Sequence, residues 1–257
     1  MTQPACPFVW HDLMTTDTAA AKAFYARVFG WTMQAFPGQA NYTVVTAGTV
    51  GVGGIMPIPE QARERGAPPS WQGYVAVPDV DAWAVRIQAK GGKIIQAAQD
   101  IPEVGRFAVV ADVHAAVFII FKANREPPMA NPTPRAPGTV GWNELHAADG
   151  LAAFDWYADV FGWSQVSDID MGPMGVYRLF ATGAADAAGG MMTKMPEAPV
   201  PFWTYYFNVD ALDPAMERVT QGGGAVRNGP MEVPGPMFVA NCQDPQGAWF
   251  SMVALRR

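Results

Sequence analysis

Apolar and polar positions alternate in short runs along this chain, and the runs are separated by segments with helical spacing. The first run, "FVWHDLM" from Phe8 to Met14, is apolar-rich and partly alternating, which predicts a strand. Asp17 follows at a position suited to cap a helix whose first turns are rich in alanine. Gly30 stands where a helix commonly ends in a left-handed residue. The pattern therefore predicts a strand and then a helix.

Three further strands complete this first module, and a second module follows it. A strand is predicted to begin at Trp31, and the segments "NYTVVTAG" and "VGVGGIMPI" predict two more. The order β-α-β-β-β then recurs through "GYVAVP", the helical "DVDAWAVRIQAKGG", "KIIQAA", "RFAVVAD" and "AAVFIIF". Paired βαβββ modules predict an α+β domain, and we expect its mixed sheet to curl around a cavity.

The whole pattern occurs twice. "FYARVFGW" at residues 24–31 returns as "WYADVFGW" at residues 156–163, a shift of 132. The same shift pairs Trp10 with Trp142, Trp71 with Trp203, Tyr74 with Tyr206 and Asp112 with Asp244. A repeat this long indicates a duplicated domain, because solenoid units have about 20–50 residues. The proline-rich segment 124–138 predicts an extended linker between domains at 1–123 and 139–257.

Composition narrows the class of protein. A chain of 257 residues suits two domains, and its net charge of −6 is spread without a basic face of the kind that binds nucleic acid. The longest apolar run, Ala115 to Phe121, is too short to span a membrane, and the first residues do not resemble a signal peptide. Cys6 and Cys242 have neither disulfide-framework nor metal-site spacing. We expect a cytoplasmic monomer or homodimer with reduced thiols that binds neither nucleic acid nor membrane.

The paired modules, the repeated octet and "DPQGAWF" in the closing hairpin resemble the vicinal-oxygen-chelate superfamily. Glyoxalase I, extradiol dioxygenases and bleomycin-resistance proteins belong to it. The openings "VWHDLMTTD" and "GWNELHAAD" are similar to a tandem-domain, glyoxalase-like branch that starts W-x-[DE]-L. The resemblance covers nearly the whole chain outside the linker. It implies the fold but leaves the activity open, because one scaffold carries many functions.

The resemblance also implies where a metal would bind. In the metal-using relatives, histidines and a glutamate from the first, fourth, fifth and eighth strands of a domain hold a divalent ion that acts as a Lewis acid. Carried over to this chain, the positions in the first, fifth and eighth strands are Trp10 and Trp142, Tyr74 and Tyr206, and Ile119 and Ser251. The fourth-strand segments "VGVGGIMPI" and "AGGMMTKMP" contain neither imidazole nor carboxylate. This set is not typical of a divalent-metal site, so we expect no metal cofactor.

Aromatic and acidic residues stand in place of the metal ligands. Trp10, Asp12 and Met14 share one face of their predicted strand, and the matching face of the second copy carries Trp142, Glu144 and His146. Such a face suits a planar or amphipathic small molecule, although the aromatics could equally fill the sheet core. A carboxylate in an apolar strand needs a partner, such as an indole N–H or a tyrosine O–H. The predicted ligand-binding residues are Trp10, Asp12, Tyr74, Trp142, Tyr205 and Tyr206.

Glu144 and His146 distinguish the second copy from the first, because only there do an acid and an imidazole lie two residues apart. They are the candidate catalytic pair, since a carboxylate can tune a histidine that moves a proton. The alternative is a histidine that only packs at a strand end.

Three functions remain open. The chain could be a metal-independent binding protein of the bleomycin-resistance type for a small aromatic or amphipathic molecule. It could instead be an enzyme of the superfamily, a lyase, isomerase or dioxygenase-type oxidoreductase, that uses Glu144 and His146 or a divalent metal. The third possibility is a protein that only interacts with other proteins. The missing ligands favour the first function.

Overall fold

The computed structural model describes residues 5–39, 41–125 and 135–257. The first repeat contains eight strands and three helices. In chain order they are β1 (Phe8–Thr15), α1 (Thr18–Phe29), β2 (Thr32–Ala35), β3 (Thr43–Ala47), β4 (Val50–Pro57), α2 (Glu60–Glu64), β5 (Ser70–Ala76), α3 (Val80–Ala89), β6 (Lys93–Ile101), β7 (Gly105–Ala111) and β8 (Val117–Ala123).

The second repeat has the same order of strands. Its elements are β9 (Val140–Ala147), α4 (Gly150–Phe161), β10 (Ser164–Asp170), a 3-10 turn at Gly172–Met174, β11 (Val176–Ala181), β12 (Gly189–Thr193), β13 (Phe202–Asn208), α5 (Leu212–Gln221), β14 (Ala225–Val233), β15 (Met237–Gln243) and β16 (Trp249–Ala254). The predicted βαβββ order is therefore present four times, and the short helix α2 and the 3-10 turn are additions to it.

The repeated octet is the end of a helix, as predicted. Asp17 Oδ1 accepts hydrogen bonds from the backbone N–H groups of Ala19 and Ala20 at the start of α1, and Gly30 ends the helix with φ at 70°. In α4 the same two roles fall to Asp149 and to Gly162, whose φ is 72°. Glycine adopts this left-handed conformation without the cost that a side chain would add.

Each repeat contributes one eight-stranded mixed sheet. The strand orders are β2-β3-β4-β1-β5-β8-β7-β6 and β10-β11-β12-β9-β13-β16-β15-β14. Tyr74 lies opposite Ile119 where β5 pairs with β8, and Tyr206 lies opposite Ser251 where β13 pairs with β16. Each pair differs from its counterpart by 132 residues, so the shift found in the sequence also describes the strand register. The predicted fold class is confirmed.

The compact units of the fold do not coincide with the repeats. Unit 1 consists of Met1–Trp10, Gly73–Met129 and Trp142–Thr204, whereas unit 2 consists of His11–Gln72, Ala130–Gly141 and Tyr205–Arg257. Each unit therefore combines one half of each repeat. The predicted domain division at 124–138 stays a prediction, and residues 126–134 of that linker lie outside the described residues.

Within unit 1, a buried chain of hydrogen bonds joins residues of the first repeat to residues of the second. The Tyr157 hydroxyl donates to Asp112 Oδ2 at 3.1 Å and accepts from Trp203 Nε1 at 3.2 Å. The backbone N–H groups of His114 and Ala116 donate to Asp112 Oδ1 at 2.8 and 2.9 Å. Asp112 comes from the first repeat, and Tyr157 and Trp203 come from the second.

Unit 2 contains the same chain with the repeats exchanged. The Tyr25 hydroxyl donates to Asp244 Oδ2 at 3.1 Å and accepts from Trp71 Nε1 at 3.0 Å. Burial is the largest cause that raises the pKa values of Asp112 and Asp244 above the usual aspartate range. The tyrosine of each repeated octet therefore forms a hydrogen bond with an aspartate of the other repeat.

Two further observations concern the predictions on membrane spans and on the two cysteines. Among the helices of the described residues, none has the length and apolar character needed to cross a membrane. Burial raises the pKa of the Cys6 thiol to about 11 and that of the Cys242 thiol to about 12. Both side chains therefore remain protonated thiols near neutral pH.

Candidate functional site

Glu144 is the centre of a hydrogen-bonded cluster in unit 1. It lies on β9, and its side chain is 11 % exposed. Oε1 lies 2.8 Å from Nε2 of His146, and Oε2 accepts a hydrogen bond from the Tyr177 hydroxyl at 2.7 Å. The buried carboxylate therefore has an imidazole and a hydroxyl as hydrogen-bond partners, as a buried acid in an apolar strand requires.

Trp142 extends this cluster through the same tyrosine. Its Nε1 donates to the Tyr177 hydroxyl at 2.7 Å. Trp142, Glu144 and His146 alternate along β9 and so share one face of the strand, as predicted.

Gly190 makes room for the tyrosine. Where β9 and β12 pair, Gly190 lies opposite Glu144. A Cβ atom at Gly190 would lie 2.2 Å from Cζ of Tyr177. Any side chain at this position would therefore displace the ring that reaches the carboxylate.

His146 packs on an aromatic surface. Its ring stacks on Phe202 with centroids 4.6 Å apart and planes 13° from parallel. The imidazole is 19 % exposed, and its Nδ1 has no hydrogen-bond partner among the described residues. We refer to Trp142, Glu144, His146, Tyr177 and Phe202 as the Glu144 cluster. Apart from the mostly buried carboxylate at its centre, its side chains are all half-buried.

The first repeat keeps part of this arrangement, within unit 2. The Tyr42 hydroxyl donates to Asp12 Oδ1 at 2.6 Å, and a Cβ atom at Gly54 would lie 2.2 Å from Cζ of Tyr42. Asp12 is only 1 % exposed, and Met14 occupies the position that His146 has in the second repeat. The carboxylate–tyrosine–glycine unit is therefore duplicated, whereas the imidazole is not. Trp10, predicted as the counterpart of Trp142, is half-buried on β1.

The remaining predicted residues are less accessible. Tyr74 is buried on β5, and its ring lies edge-on to Phe121 with centroids 5.9 Å apart. Tyr206 is buried on β13.

Tyr205 and Tyr206 do not face the same side of β13. Consecutive residues of a strand point to opposite faces, so at most one of the two can line a given cavity. Tyr205 is fully buried, and its ring packs edge-on against His11 at 4.7 Å. The structure thus places Tyr205 in packing, away from the face of Tyr206.

Sequence reasoning missed Tyr42, Tyr177 and Phe202. The sequence predicts an indole or tyrosine partner for the carboxylate, but Tyr42 and Tyr177 are not among the predicted site residues. A signal was present, because Tyr42 and Tyr177 occupy matching places before Gly54 and Gly190. They are separated by 135 residues rather than 132, since small gaps interrupt this stretch of the repeat, and a fixed shift does not align them.

The side chains at the superfamily's ligand positions do not fit a divalent metal. The observed registers place Tyr74 opposite Ile119 and Tyr206 opposite Ser251, so these positions offer one phenol beside one apolar or hydroxyl group. Over residues 5–39, 41–125 and 135–257, no group of three or more His, Cys, Asp or Glu side chains could hold a metal ion. Divalent ions of this family's kind need imidazole and carboxylate donors. Metal content itself stays a prediction.

Two surface recesses lie elsewhere, within unit 2. One of about 280 Å³ includes Arg135, Asn208, Met237 and Arg256 in its lining, and one of about 610 Å³ lies along α5. Neither contains a residue of the Glu144 cluster. No described aromatic residue lines either recess, whereas the Glu144 cluster joins aromatic surface to hydrogen-bonding groups.

Comparisons with known proteins agree with the fold. A family model described as the Glyoxalase/Bleomycin resistance protein/Dioxygenase superfamily matches residues 140–252, and one described as Bleomycin resistance protein-like N-terminal matches residues 8–48. A protein of Mycobacterium tuberculosis with a provisional glyoxylase name is 35% identical over 249 residues, which cover 95% of this chain and 93% of the relative. The anthracycline biosynthesis protein DnrV of Streptomyces peucetius is 32% identical over 267 residues, which cover 98% of this chain and 94% of the relative.

Solved structures share the fold at low identity. The Mn(II)-bound glyoxalase from Novosphingobium aromaticivorans matches with a TM-score of 0.66 and 15% identity, covering 100% of this chain and 83% of that one. Homoprotocatechuate 2,3-dioxygenase from Arthrobacter globiformis matches with a TM-score of 0.69 and 12% identity. The match covers 99% of this chain and 81% of that one. At identities this low the match shows a shared architecture only, so the chemistry has to be inferred from the site itself.

Proposed function

Because the chain belongs to the Glyoxalase/Bleomycin resistance protein/Dioxygenase superfamily, we propose that it binds a small aromatic or amphipathic molecule against the Glu144 cluster, without the family's metal. The observation that carries this proposal is the hydrogen-bonded chain from Trp142 through Tyr177 and Glu144 to His146. It joins aromatic surface to polar groups in a set of side chains that remain partly exposed.

The chemistry of the cluster supports an aromatic ligand. Trp142, Tyr177 and Phe202 supply flat apolar surface, and a planar ring can stack on such a surface. The imidazole of His146 supplies a polar group next to that surface. The anthracycline biosynthesis proteins among the relatives support an aromatic compound as the ligand class.

The second repeat is a better site than the first. Asp12 is almost fully buried and is followed on its strand face by a thioether, whereas Glu144 is followed by a partly exposed imidazole. A ligand can reach a polar group only where that group meets solvent. We therefore place one ligand site in each chain, at the Glu144 cluster.

Tryptophan fluorescence tests the proposal directly. A library of small aromatic compounds is titrated into wild-type protein, into Trp142→Ala and into the matched control Trp10→Ala. We expect hits that bind wild type and Trp10→Ala alike but bind Trp142→Ala more weakly, by about 1 kcal/mol or more, because the stacking surface is lost. If no compound binds, or if Trp10→Ala alone abolishes binding, the site is not at the Glu144 cluster.

A second candidate function is proton transfer by Glu144 and His146. The 2.8 Å contact between Glu144 Oε1 and His146 Nε2 favours it, because a carboxylate that orients an imidazole is a common arrangement for general-base catalysis. His146 would take a proton at Nδ1 from a bound carbon or oxygen acid. In D2O, deuterium should then exchange into a bound carbon acid with wild type but not with His146→Gln, and equal exchange with both proteins would exclude this role.

A further inference from the structure

We propose that the recess of about 280 Å³ in unit 2 is a separate binding site, which takes a small amphipathic carboxylate. The carboxylate of the ligand pairs with the guanidinium groups of Arg135 and Arg256, and its apolar part covers Val253 and Leu255. The site shares no residue with the Glu144 cluster and takes a different class of ligand. The two proposals therefore stand or fall separately.

Backbone hydrogen bonds hold both segments that carry the arginines. On one side, the turn at residues 135–139 is joined to the end of β13, because the Asn208 N–H donates to the Thr139 carbonyl oxygen at 2.8 Å. The Asn208 side-chain amide also donates to the Thr139 carbonyl and hydroxyl oxygens, both at 3.1 Å. On the other side, the Leu212 N–H donates to the carbonyl oxygen of Arg256 at 2.9 Å. The recess is therefore largely preformed, as ligand sites usually are.

The two cations of the recess have no partner in the protein. Arg135 and Arg256 are both exposed, and neither guanidinium group forms an ion pair or a hydrogen bond with another described residue. By contrast, Arg257 pairs with Asp213 at 3.3 Å. A guanidinium without a carboxylate in the protein remains open to one from a ligand, which it can bind through two parallel hydrogen bonds.

Asp210 limits the charge of the ligand. It also lines the recess, where it adds one negative charge to the two positive charges of Arg135 and Arg256. The net charge of these three side chains is +1, which matches a monoanion such as a carboxylate. Asp210 itself repels such a ligand, so its replacement by asparagine should strengthen binding.

Apolar surface lies in the same recess as the arginines. Leu255 is 56 % exposed, and Pro137, Met237 and Val253 line the recess with it. Covering such surface favours binding by roughly 25 cal/mol per Å² of apolar area. The volume of about 280 Å³ is near the lower end of the range for ligand pockets, which suits a small molecule with a short apolar chain.

Methyl NMR of the whole chain tests this proposal, because Met237 provides a reporter inside the recess. Protein with 13C-labelled methionine methyl groups is titrated near neutral pH with hexanoate, with acetate and with 1-hexanol, and Met237→Leu identifies the reporter signal. We expect hexanoate to shift this signal until it saturates. Acetate lacks the apolar chain and 1-hexanol lacks the charge, so each should bind more weakly by about fivefold or more.

Variants of the charged residues test which groups hold the ligand. Arg135→Gln and Arg256→Gln should each weaken hexanoate binding by about fivefold or more, whereas Asp210→Asn should tighten it. Arg257→Gln is the matched control, because it removes a neighbouring guanidinium that already pairs with Asp213, and it should leave the affinity within about twofold of wild type.

Three results would overturn the proposal. They are a Met237 signal that hexanoate does not shift, 1-hexanol binding as tightly as hexanoate, and unchanged hexanoate binding in either Arg135→Gln or Arg256→Gln. Because all four substituted side chains are exposed or half-exposed at the surface, the variants should fold as wild type does. None of these results would affect the proposed function of the Glu144 cluster.

Discussion

Replacing Tyr157 by phenylalanine should destabilise the protein more than the loss of one hydroxyl usually does. The Tyr157 side chain is fully buried in unit 1. Its hydroxyl donates to Asp112 at 3.1 Å and accepts from Trp203 at 3.2 Å. Phenylalanine keeps the ring and its packing, so the change isolates these two hydrogen bonds.

The magnitude follows from the two groups left behind. The indole N–H of Trp203 becomes a buried donor without this acceptor, at a cost of about 1–3 kcal/mol. The Asp112 carboxyl loses one of three hydrogen bonds, and a bond to such a group contributes about 1–2 kcal/mol. We expect the free energy of unfolding to fall by about 2–5 kcal/mol in total.

Urea denaturation followed by circular dichroism measures this loss. Tyr25→Phe is the matched variant, because in unit 2 it removes bonds of 3.1 and 3.0 Å to Asp244 and Trp71, and it should cost a similar amount. Ser164→Ala, which removes an exposed hydroxyl, should change the free energy by less than about 0.5 kcal/mol. If both tyrosine variants stay within that margin of wild type, the buried chains do not stabilise the units as described.

Three further outcomes are expected. Burial raises the pKa of Asp112, so the folded state holds this proton more tightly than the unfolded chain, and stability should fall as pH rises from about 4 through the raised pKa. Asp112→Asn lacks this titration, and parallel stability profiles for the two proteins in urea would contradict the assignment. Gly190→Ala should weaken ligand binding by displacing Tyr177, while Gly54→Ala should not, and the reverse pattern in a fluorescence titration would place the site in the first repeat. Plasma emission spectroscopy should find no stoichiometric zinc, nickel, manganese or iron after dialysis, and about one retained equivalent would refute the metal-independent account.

The sequence predicted most of the fold because the duplication provides its own check. Asp17 and Gly30 bound a helix, and their counterparts 132 residues later do the same. The shift also gave the strand register, since Tyr74 and Tyr206 have partners separated by the same interval.

The interleaving of the repeats could not be predicted in this way. The octet marks where each helix ends, but it does not show which sheet its tyrosine packs against. Tyr25 reaches Asp244 and Tyr157 reaches Asp112, and each contact spans a large distance along the chain. A pattern of local periodicity contains no information on such long-range partners.

The site was predicted only in part, for a similar reason. Trp142, Glu144 and His146 follow from the alternation along one strand. Tyr177 and Phe202 come from other strands, and their positions depend on how those strands pair and on Gly190 leaving space for a ring. Alternation within β9 cannot supply that information.

The central claim is that the Glu144 cluster binds an aromatic ligand without a metal. Isothermal titration calorimetry with 2-naphthol, on protein dialysed against EDTA and checked for metal content, tests it most directly. We predict one site per chain, an affinity that added divalent metal leaves unchanged, and a loss of about fivefold or more in Trp142→Ala but not in Trp10→Ala. Binding that appears only after metal is added, or that is the same in Trp142→Ala, would contradict the account.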